Sequence, residues 1–538
     1  MAFLRKEIKP SGTYLRIVES YRDKNGKSRH KTIYNLGKAE DYSKSTLNKI
    51  GKIFIKLSGE TIPAKINVRE MARYNYGFVQ VYDKILGTYG LNKFFNSIQK
   101  KRKLNYDIYK HILLMLVERL NDPCSKLSNY NNRQEYYGLE NIELHKLYRS
   151  LDHLHDNQKN VQDIIYQQGR HLFNQKLDVV FYDVTTFYFD SQWEDGFRMK
   201  GYSKDGKIGK TVIVFGLLID KDKNPVGYQI YKGGFYEGHT FKDALRKLKK
   251  EYMIEKVITV ADRGMMSKQN IELIEGEAGY EYIIGERLKN LPEGLQKKIL
   301  DRTKYKQMEI EDEQSVEKIK IDYLLINHDG KRIIASYSEA RAAKDRRDRE
   351  ERIVKGKEML EKPWQADRKA RMHYLKKEQS NKYELDENKI SGDARYDGIV
   401  CIATNNKELD TANILSAYKQ LYKIEQCFRT FKSYLETRPM FHWTAKRIEG
   451  HLCLCYIALT LLNYLQNTMK RNGYNYSENH IRKSLDKMQL SLVEQDGGKY
   501  YMRSTNNEEI ETILKVLKLK EIPDFIPESS IKDYISIG

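Results

Sequence analysis

The sequence has few cysteines, and they form no recognisable framework. Five of them are scattered among 538 residues without any CxxC pair: Cys124, Cys401, Cys427, Cys453 and Cys455. An odd number of scattered cysteines argues against a disulfide-stabilised secreted protein and favours a reducing compartment. Cys453 and Cys455 lie near His451 in an apolar run, where cysteine commonly acts as a small hydrophobic residue, so we do not expect zinc there.

The sequence also lacks the long apolar segment of a membrane protein. Its longest apolar run, near 452–464, is shorter than a membrane span and is interrupted by tyrosine and asparagine. The first residues, MAFLRKEIKPSG, contain no signal-peptide core. Internal repeats and low-complexity linkers are absent as well. We therefore expect a cytoplasmic protein with no membrane partner, and its length predicts several domains.

Positive charge is what the sequence has in excess. Lys and Arg number 95 against 74 Asp and Glu, which gives a formal net charge of +21. This excess suits a polyanionic partner, because Lys and Arg displace the counterions condensed on nucleic-acid phosphates. A basic surface that serves only solubility is the alternative. The stretch 341–377 is especially rich in Lys and Arg, and it is either a DNA contact or a solvated helix face.

The distribution of apolar and turn-forming residues divides the chain into segments of different texture. A hairpin signal at Asn25-Gly26 lies between two strand-like runs, and helical spacing of apolar residues follows it. From 177 onward strands and helices alternate. The predicted segments are a β-rich module at 1–60, a helical domain with possible DNA binding at 61–175, an α/β core in two parts at 176–287 and 396–470, a basic insertion at 288–395 and an appendage at 471–538.

The first part of the α/β core is the most regular stretch of the sequence. After an opening strand at 177, strand-like runs at 210–220 and 225–234 are followed by strands and helices in alternation. The remaining predicted elements are a helix at 239–252, a strand at 256–265, a helix at 267–279 and a strand at 280–287. This β-β-β-α-β-α-β order predicts a mixed sheet, with antiparallel hairpins first and parallel crossovers afterwards.

Two aspartates stand out by their position in this sheet. In LDVVFYDVTTFYFD (177–190), Asp183 follows an apolar, β-prone run, and we expect it at the end of the first strand. Asp262, in VADRGM, ends the fourth strand. The first and fourth strands of such a sheet are expected to be neighbours, so their ends can bring two carboxylates together. Close carboxylates repel unless a cation bridges them, and oxygen ligands favour Mg²⁺ or Mn²⁺.

A third carboxylate lies in a polar stripe. Tyr418, Glu425 and Lys432 are spaced seven residues apart in a predicted long helix at 409–435, so we expect them on one face. Arg429 lies one turn after Glu425 on the same side. Taken alone, Glu425 is typical of a solvated helix charge, and Asp183 or Asp262 of a strand-end cap. Their joint occurrence in a basic α/β chain is what indicates a site.

Four stretches of the core together resemble a known family. They are YDVTTFYF, GYSKDGKIGKTVIVFGLLID, VADRGMMS and YKQLYKIEQCFRTFKSYLETRPMFHW. Over roughly 177–470 the chain resembles the DDE transposases of bacterial insertion sequences, more narrowly the IS-four superfamily. That family's signature of Tyr, Arg, Glu and Lys has the same spacing as Tyr418, Leu421, Glu425 and Lys432. Leu421 stands where the family has Arg, so one expected contact with the DNA backbone is missing, and Arg429 or Lys423 is a candidate replacement.

The resemblance implies a ribonuclease-H-like core with an inserted domain before the final Glu. By the same resemblance Asp183, Asp262 and Glu425 would hold two Mg²⁺ ions, with Mn²⁺ as a substitute. Four side chains would contact DNA: Tyr418, Arg429, Lys432 and Arg263.

The resemblance further implies cleavage at the terminal inverted repeats of an insertion sequence and strand transfer into target DNA. It implies a homodimer when two ends are synapsed, and a prokaryotic, nucleoid-associated location. Two alternatives share the same residues: a ribonuclease-H-like nuclease without strand transfer, and a catalytically silent DNA-binding relative.

Overall fold

The structure is a computed structural model that describes most of the chain. The described residues are 2–59, 68–173, 179–201, 209–235, 240, 243–244, 246, 252, 257–261, 268–276, 280–310, 318–361, 373–377, 383–495 and 497–538. They form two compact units. The first unit comprises Met1–Glu70 with Val493–Lys499, and the second comprises Met71–Leu492 with Tyr500–Gly538.

The first unit contains an antiparallel three-stranded sheet. Its strands are β1 (Ala2–Lys9), β2 (Gly12–Arg22) and β3 (Ser28–Lys38), in the order β1-β2-β3. The turn between β2 and β3 contains Gly26 at φ 76°, a left-handed conformation that suits glycine, so the predicted hairpin is present. Helix α1 (Lys44–Leu57) follows, capped by Ser43, whose side chain accepts a hydrogen bond from the Thr46 amide.

Strand β4 (Val68–Asn75) leads along the chain into a group of helices. The helices are α2 (Gly77–Tyr89), α3 (Leu91–Lys101), α4 (Ile108–Asn121), α5 (Lys126–Asn132), α6 (Leu144–Asp156) and α7 (Gln158–Phe173). Almost every residue of α4 is buried, so this helix runs through the interior of the group. The helical texture predicted after the first module is therefore observed.

The core sheet begins with β5 and has the predicted mixed topology. Its elements are β5 (Val179–Tyr188), β6 (Met199–Lys200), β7 (Thr211–Asp220), β8 (Pro225–Lys232), β9 (Val257–Ala261), α8 (Lys268–Glu275) and β10 (Tyr280–Glu286). Strands β8, β7 and β5 pair antiparallel, whereas β5, β9 and β10 pair parallel. The first and fourth core strands, β5 and β9, are neighbours, which confirms the fold class. The helix predicted at 239–252 falls mostly outside the described residues.

The insertion between the two parts of the core adds strands to the same sheet. Its elements are α9 (Glu293–Leu300), β11 (Lys306–Ile310), β12 (Ile319–His328), β13 (Lys331–Tyr337), α10 (Glu339–Glu361), β14 (Leu375–Lys377), β15 (Tyr383–Leu385), α11 (Glu387–Ala394) and β16 (Ile399–Thr404). Strand β16 pairs antiparallel with both β10 and β13, so β11–β13 extend the core sheet.

Helix α10 carries the described part of the basic stretch 341–377, and several of its charges have local partners. Arg341 pairs with Asp345 at 2.9 Å, and Arg349 pairs with Asp397. Asp345 also accepts a hydrogen bond from the Gly398 amide at 3.0 Å. These contacts favour a structural role for this face of the helix. Residues 362–372 of the stretch lie outside the described residues.

The second part of the core is helical and leads to a C-terminal appendage. The elements are α12 (Thr411–Lys419), α13 (Tyr422–Arg429), a π-helical turn (Thr430–Tyr434), α14 (Ala445–Arg471), α15 (Glu478–Asp486), β17 (Gln489–Gln495), β18 (Gly498–Arg503), α16 (Glu508–Val516) and β19 (Phe525–Pro527). Short 3-10 turns lie at Ala39–Asp41, Arg133–Glu135, Leu288–Asn290, Arg302–Lys304 and Glu528–Asp533.

Helix α14 is the central helix of the second unit. In the described part of the chain it alone is long and apolar enough to cross a membrane, but 89% of its apolar window is buried inside the protein. Cys453 and Cys455 are completely buried within it, and burial raises the pKa of the Cys453 thiol to about 12. Both cysteines therefore serve as small core residues.

The two faces of the core sheet belong to two different hydrophobic clusters. Alternate residues of β5, including Phe181 and Phe187, lie in the cluster that also contains the buried side of α13 and most of α14. The intervening residues Val180, Tyr182 and Val184 lie in a second cluster on the opposite face. Because side chains of a strand alternate between faces, residue 183 belongs to the face covered by α13. We call this the helix-covered face.

Gly450 allows α14 and α6 to approach closely. A Cβ added at this position would lie 2.1 Å from the backbone oxygen of Leu151 in α6. We predict that Gly450→Ala lowers the free energy of unfolding by about 1–3 kcal/mol, because the two backbones must separate. Urea denaturation monitored by circular dichroism measures the change.

Gly87→Ala is the matched control for that variant. Gly87 also lies in a helix, α2, but a Cβ there would meet only the Asn92 side chain at an ordinary 3.5 Å. This variant should leave stability unchanged or raise it by up to about 1 kcal/mol. Equal stability of the two variants would contradict the close crossing of α14 and α6.

Candidate active site

Asp183 lies in the middle of β5 and not at its end, which corrects the sequence prediction. The strand continues for five more residues because its antiparallel pairing with β7 runs on to Tyr188 and Val212. Asp183 itself is opposite Leu217 and is partly exposed. Its carboxylate accepts a hydrogen bond from the neighbouring Val184 amide at 2.7 Å. A carboxylate is therefore held on the helix-covered face of a rigid strand.

The backbone around Asp183 is held by close packing on the opposite face. Tyr182 lies across Gly216 of β7, where an added Cβ would be 2.5 Å from the tyrosine oxygen. Tyr182 is 1% exposed, and burial raises its pKa well above the ordinary tyrosine value. A side chain at position 216 would displace this ring and with it the strand that carries Asp183.

The parallel pairing of β5 with β9 leads toward Asp183. Among the described residues it runs as far as Tyr182 and Ala261, which immediately precede Asp183 and Asp262 in the sequence. Asp262 and Arg263 lie outside the described residues, so their predicted roles stay predictions.

Glu425 lies on the exposed side of α13, above the sheet. The opposite side of the helix is buried through Ile424, Cys427 and Phe428, and these belong to the cluster of the helix-covered face. Helix α13 packs against β5 and β7. Glu425 and Asp183 are thus carried by two elements that pack against each other on one face of the sheet.

A cluster of three aromatic rings fixes this arrangement. Phe431, directly after α13, lies with its ring centroid 6.2 Å from that of Phe187 in β5 and 5.2 Å from that of Phe215 in β7. Phe187 and Phe215 are 5.5 Å apart, and all three rings are fully buried. Phe187 is four residues after Asp183 on the same side of β5. We refer to Phe187, Phe215 and Phe431 as the aromatic clamp.

The predicted long helix at 409–435 is wrong as a continuous α-helix. It breaks at Gln420 and Leu421 between α12 and α13, and it widens into the π-helical turn after Arg429. Tyr418 is therefore on a different helix from Glu425, and Lys432 lies in the π-helical turn. Residues spaced by seven do not form the simple stripe that an uninterrupted helix would produce, because both irregularities change the rotation per residue.

The residues near the signature have unequal access to a ligand. Leu421 is half-buried and packs against the core, and Tyr418 does so as well. Lys423 is 4% exposed, and its Nζ donates to the Lys221 carbonyl at 2.5 Å and to Gln420 at 3.1 Å. Of the two candidate replacements for the family's Arg, Lys423 is therefore structural. Arg429 is exposed on the same side of α13 as Glu425.

Arg119 and Tyr434 anchor the end of this segment, and sequence reasoning missed both. Arg119 is 6% exposed, and its guanidinium donates to the carbonyls of Leu435 at 3.0 Å and Cys124 at 3.1 Å. The Tyr434 hydroxyl donates to the Leu120 carbonyl at 2.9 Å. The charged pair Glu118-Arg119 inside the apolar stretch of α4 was the available signal, since buried charges need specific partners.

The carboxylates of Asp183 and Glu425 are of a type that binds hard divalent cations. Asp183 and Glu425 both offer carboxylate oxygens, which are the ligands that such cations prefer. Within the described residues, no group of three His, Cys, Asp or Glu side chains forms a metal site. Asp183 and Glu425 are therefore ligands of a suitable type, and a complete cation site requires at least one more ligand.

The mixed sheet, with antiparallel strands followed by parallel ones and a helix packed on one face, is that of a ribonuclease-H-like α/β protein. Residues 174–461, more than half of the chain, match the family model of the transposase DDE domain. Residues 4–53 match the model of the IS1634 family transposase N-terminal domain. The chain belongs to the DDE transposases of insertion sequences, the family that its motifs resemble.

Comparison with individual proteins adds only distant likenesses. No curated protein matches the chain. A piggyBac transposase in a synaptic complex with hairpin DNA is 10% identical, with 76% of this chain and 78% of that chain covered and a TM-score of 0.37. Mos1 transposase in a paired-end complex with the left transposon end is 12% identical, with 32% and 57% covered and a TM-score of 0.14. The family assignment rests on the two domain matches.

We predict that the aromatic clamp is required both for stability and for activity. Phe431→Ala should lower the free energy of unfolding by about 3–5 kcal/mol, because it empties the contact between α13 and the sheet. Metal-dependent DNA cleavage should fall as well, since Glu425 loses its fixed position. Urea denaturation and a cleavage assay at a temperature where the variant is folded measure the two effects.

Phe525→Ala is the control for the clamp variant, because Phe525 is an aromatic residue that is 44% exposed on β19. Its free energy of unfolding should fall by no more than about 1.5 kcal/mol, because its ring makes one aromatic contact, a stack on Tyr500 at 4.8 Å. If folded Phe431→Ala cut DNA at the original rate, the clamp would have no part in positioning Glu425.

Proposed function

We propose that Asp183, Asp262 and Glu425 form the catalytic site of this transposase and hold two divalent cations, with Mg²⁺ as the natural ion and Mn²⁺ as a substitute. The observation that carries the proposal is the aromatic clamp, which places the helix of Glu425 on the face of the sheet to which Asp183 belongs. We expect Asp262 on this same face, because Val260, two residues earlier in β9, belongs to its cluster.

Asp183 and Glu425 have different structural supports. Asp183 lies on β5, a central strand that pairs with β7 on one side and β9 on the other, so its backbone is held on both sides. Glu425 stands on a helix that is clamped to the same sheet. Such rigid placement suits catalysis, because a cation site requires ligands in a fixed geometry. When bound, a pair of divalent cations would activate the attacking oxygen and stabilise the leaving oxygen of a phosphodiester.

Basic side chains near the carboxylates would hold the DNA backbone. Arg429 is exposed one helical turn after Glu425, and Lys432 follows in the π-helical turn. A guanidinium there can bind a phosphate through two hydrogen bonds, while an ammonium acts as a point charge. We propose that both grip the strand to be cut. Tyr418 would contact DNA from α12, and Arg263 would contact a phosphate or orient Asp262.

The protein would act on the terminal inverted repeats of an insertion sequence and on target DNA. Bringing two ends together requires two copies of the site, so we propose a homodimer on DNA. Such a protein acts where the element resides, on the prokaryotic nucleoid in the cytoplasm. The helical domain at 61–175 is a further candidate for DNA contact.

Glu425→Gln tests the site directly. Removal of one carboxylate charge should lower the rate of Mg²⁺-dependent cleavage of DNA ends by at least about a hundredfold. Replacing a residue that only hydrogen-bonds a metal ligand already lowers activity by up to about a hundredfold, and Glu425 is proposed as a ligand itself. Binding to the same DNA should be retained. Cleavage and joining are measured on a labelled duplex that carries the inverted repeats flanking the gene, so strand transfer is read in the same assay.

Glu436→Gln is the matched control, because Glu436 is an exposed carboxylate on the same segment. It should cut and join DNA normally. Cleavage by Glu425→Gln at the rate of this control would refute the role of Glu425.

DNA binding should depend steeply on salt. Phosphate contacts release condensed counterions, so the logarithm of the binding constant should fall linearly with the logarithm of salt concentration. Arg429→Gln and Lys432→Gln should each reduce the slope by about one. Fluorescence anisotropy at a series of salt concentrations measures the slopes. Lys515→Gln, an exposed lysine on α16, should leave the slope unchanged. Equal slopes for all variants would exclude Arg429 and Lys432 from the interface.

A further inference from the structure

Two aromatic side chains next to the core are exposed to an unusual degree. Phe441 is 70% exposed and Trp443 is 69% exposed. They lie in the short segment between the π-helical turn and α14, at the end of the fourth family-like stretch, and neither is one of the four residues of its Tyr, Arg, Glu and Lys signature. Rings of this size are normally buried or placed at interfaces, since each removes a large apolar area from water when it is covered.

The segment that carries the two rings is anchored at every other position. Met440 is 4% exposed and is paired with Phe189, the residue that follows β5. The ring of His442 lies 5.0 Å from that of His451 in α14, and burial lowers the pKa of His442 to about 3. Thr444 caps α14. Met440 and His442 are directed toward the core, and Phe441 and Trp443, which alternate with them, are both exposed on the outer side.

Arg198 supports one side of Trp443. Its guanidinium carbon lies 5.5 Å from the centre of the Trp443 ring and 5.5 Å from that of Phe189. Arg198 is itself 4% exposed and is fixed by Asp195 at 2.8 Å. The indole is therefore backed by a buried cation, while most of its surface remains open. Trp443 is therefore exposed while its ring is held in place by Arg198.

The position of the segment relates it to the catalytic elements. Phe189, the residue after β5, is six residues beyond Asp183, a distance of about 20 Å along an extended chain. On the other side, Trp443 is eleven residues after Lys432. The pairing of Phe189 with Met440 brings the end of β5 and the segment after Glu425 together, and the two rings lie at this point.

We propose that Phe441 and Trp443 form a stacking platform for unpaired nucleobases of the DNA being processed. The inference rests on the proposed function for the identity of the substrate. Aromatic faces bind bases of any sequence by stacking, and bases offer their faces only where the strands are separated. Two partly exposed arginines lie close in sequence on either side of the rings, Arg438 over the ring of Tyr188 and Arg447 over that of Tyr148, and their positive charge suits a DNA strand.

The test compares binding to bases with binding to backbone. The probes are a fluorescein-labelled oligothymidine strand of twenty nucleotides and an abasic strand of the same length. Binding is measured by anisotropy in EDTA, so no cleavage takes place and a failure of the proposed catalytic site cannot affect the result. Trp443→Ala should weaken oligothymidine binding by about fivefold or more and leave abasic binding unchanged.

Three further variants complete the experiment. Phe441→Ala should weaken oligothymidine binding independently, and Trp443→Phe should keep most of the affinity because a ring remains. Phe525→Ala, an exposed aromatic of the C-terminal appendage, should bind both strands as the original protein does. Folding of each variant is checked by thermal denaturation, and the melting temperature should be nearly unchanged for the Phe441 and Trp443 variants because these two rings are mostly exposed.

Three results would overturn the proposal. One is an equal loss of affinity for the oligothymidine and abasic strands, which indicates a general effect on backbone binding. Another is unchanged binding of oligothymidine by both alanine variants. The third is unchanged DNA binding by the alanine variants together with a smaller mass than that of the original protein in analytical ultracentrifugation. That result would assign the two rings to an interface between copies of the chain.

Discussion

The contact of Phe431 with Phe187 and Phe215 is the interaction on which the functional arrangement depends. Residues 183 and 425 are far apart in sequence, and no regular backbone pairing links their elements. Three buried rings supply the link, since they press the segment after α13 onto β5 and β7. The clamp uses the same face of β5 that carries Asp183, so burying Phe431 and positioning Glu425 are one event. Apolar burial would thereby determine where the proposed charged site lies.

The helical part of the second unit acts as the frame that holds the far end of the Glu425 segment. Arg119 and Leu120 in α4 bind the chain around Tyr434 and Leu435 through backbone carbonyls. A buried guanidinium is costly unless its donors are satisfied, and here carbonyl oxygens satisfy two of them. The segment is thus fixed at its start by the sheet and at its end by α4. Between these anchors lie the π-helical turn and Lys432.

The sequence was sufficient for the order of the core strands but not for their lengths or for the helix that carries Glu425. Periodicity and turn residues predicted the antiparallel and parallel pairs, because each strand is a short apolar run bounded by turns. Asp183 was misplaced at a strand end because its pairing with β7 beyond that point depends on a partner distant in sequence. The break at Leu421 and the π-helical turn leave no periodic signal, since the apolar spacing continues through both. The joining of β11–β13 to the core sheet through β16 is equally a tertiary event.

Anomalous diffraction from crystals of the transposase soaked with Mn²⁺ tests the central claim most directly. It locates the ion without reference to any assumed ligand. We predict anomalous density within coordination distance of carboxylate oxygens from Asp183, Asp262 and Glu425, on the helix-covered face of β5. Density at other carboxylates, or a structure in which Glu425 and Asp183 lie on different faces of the sheet, would contradict it.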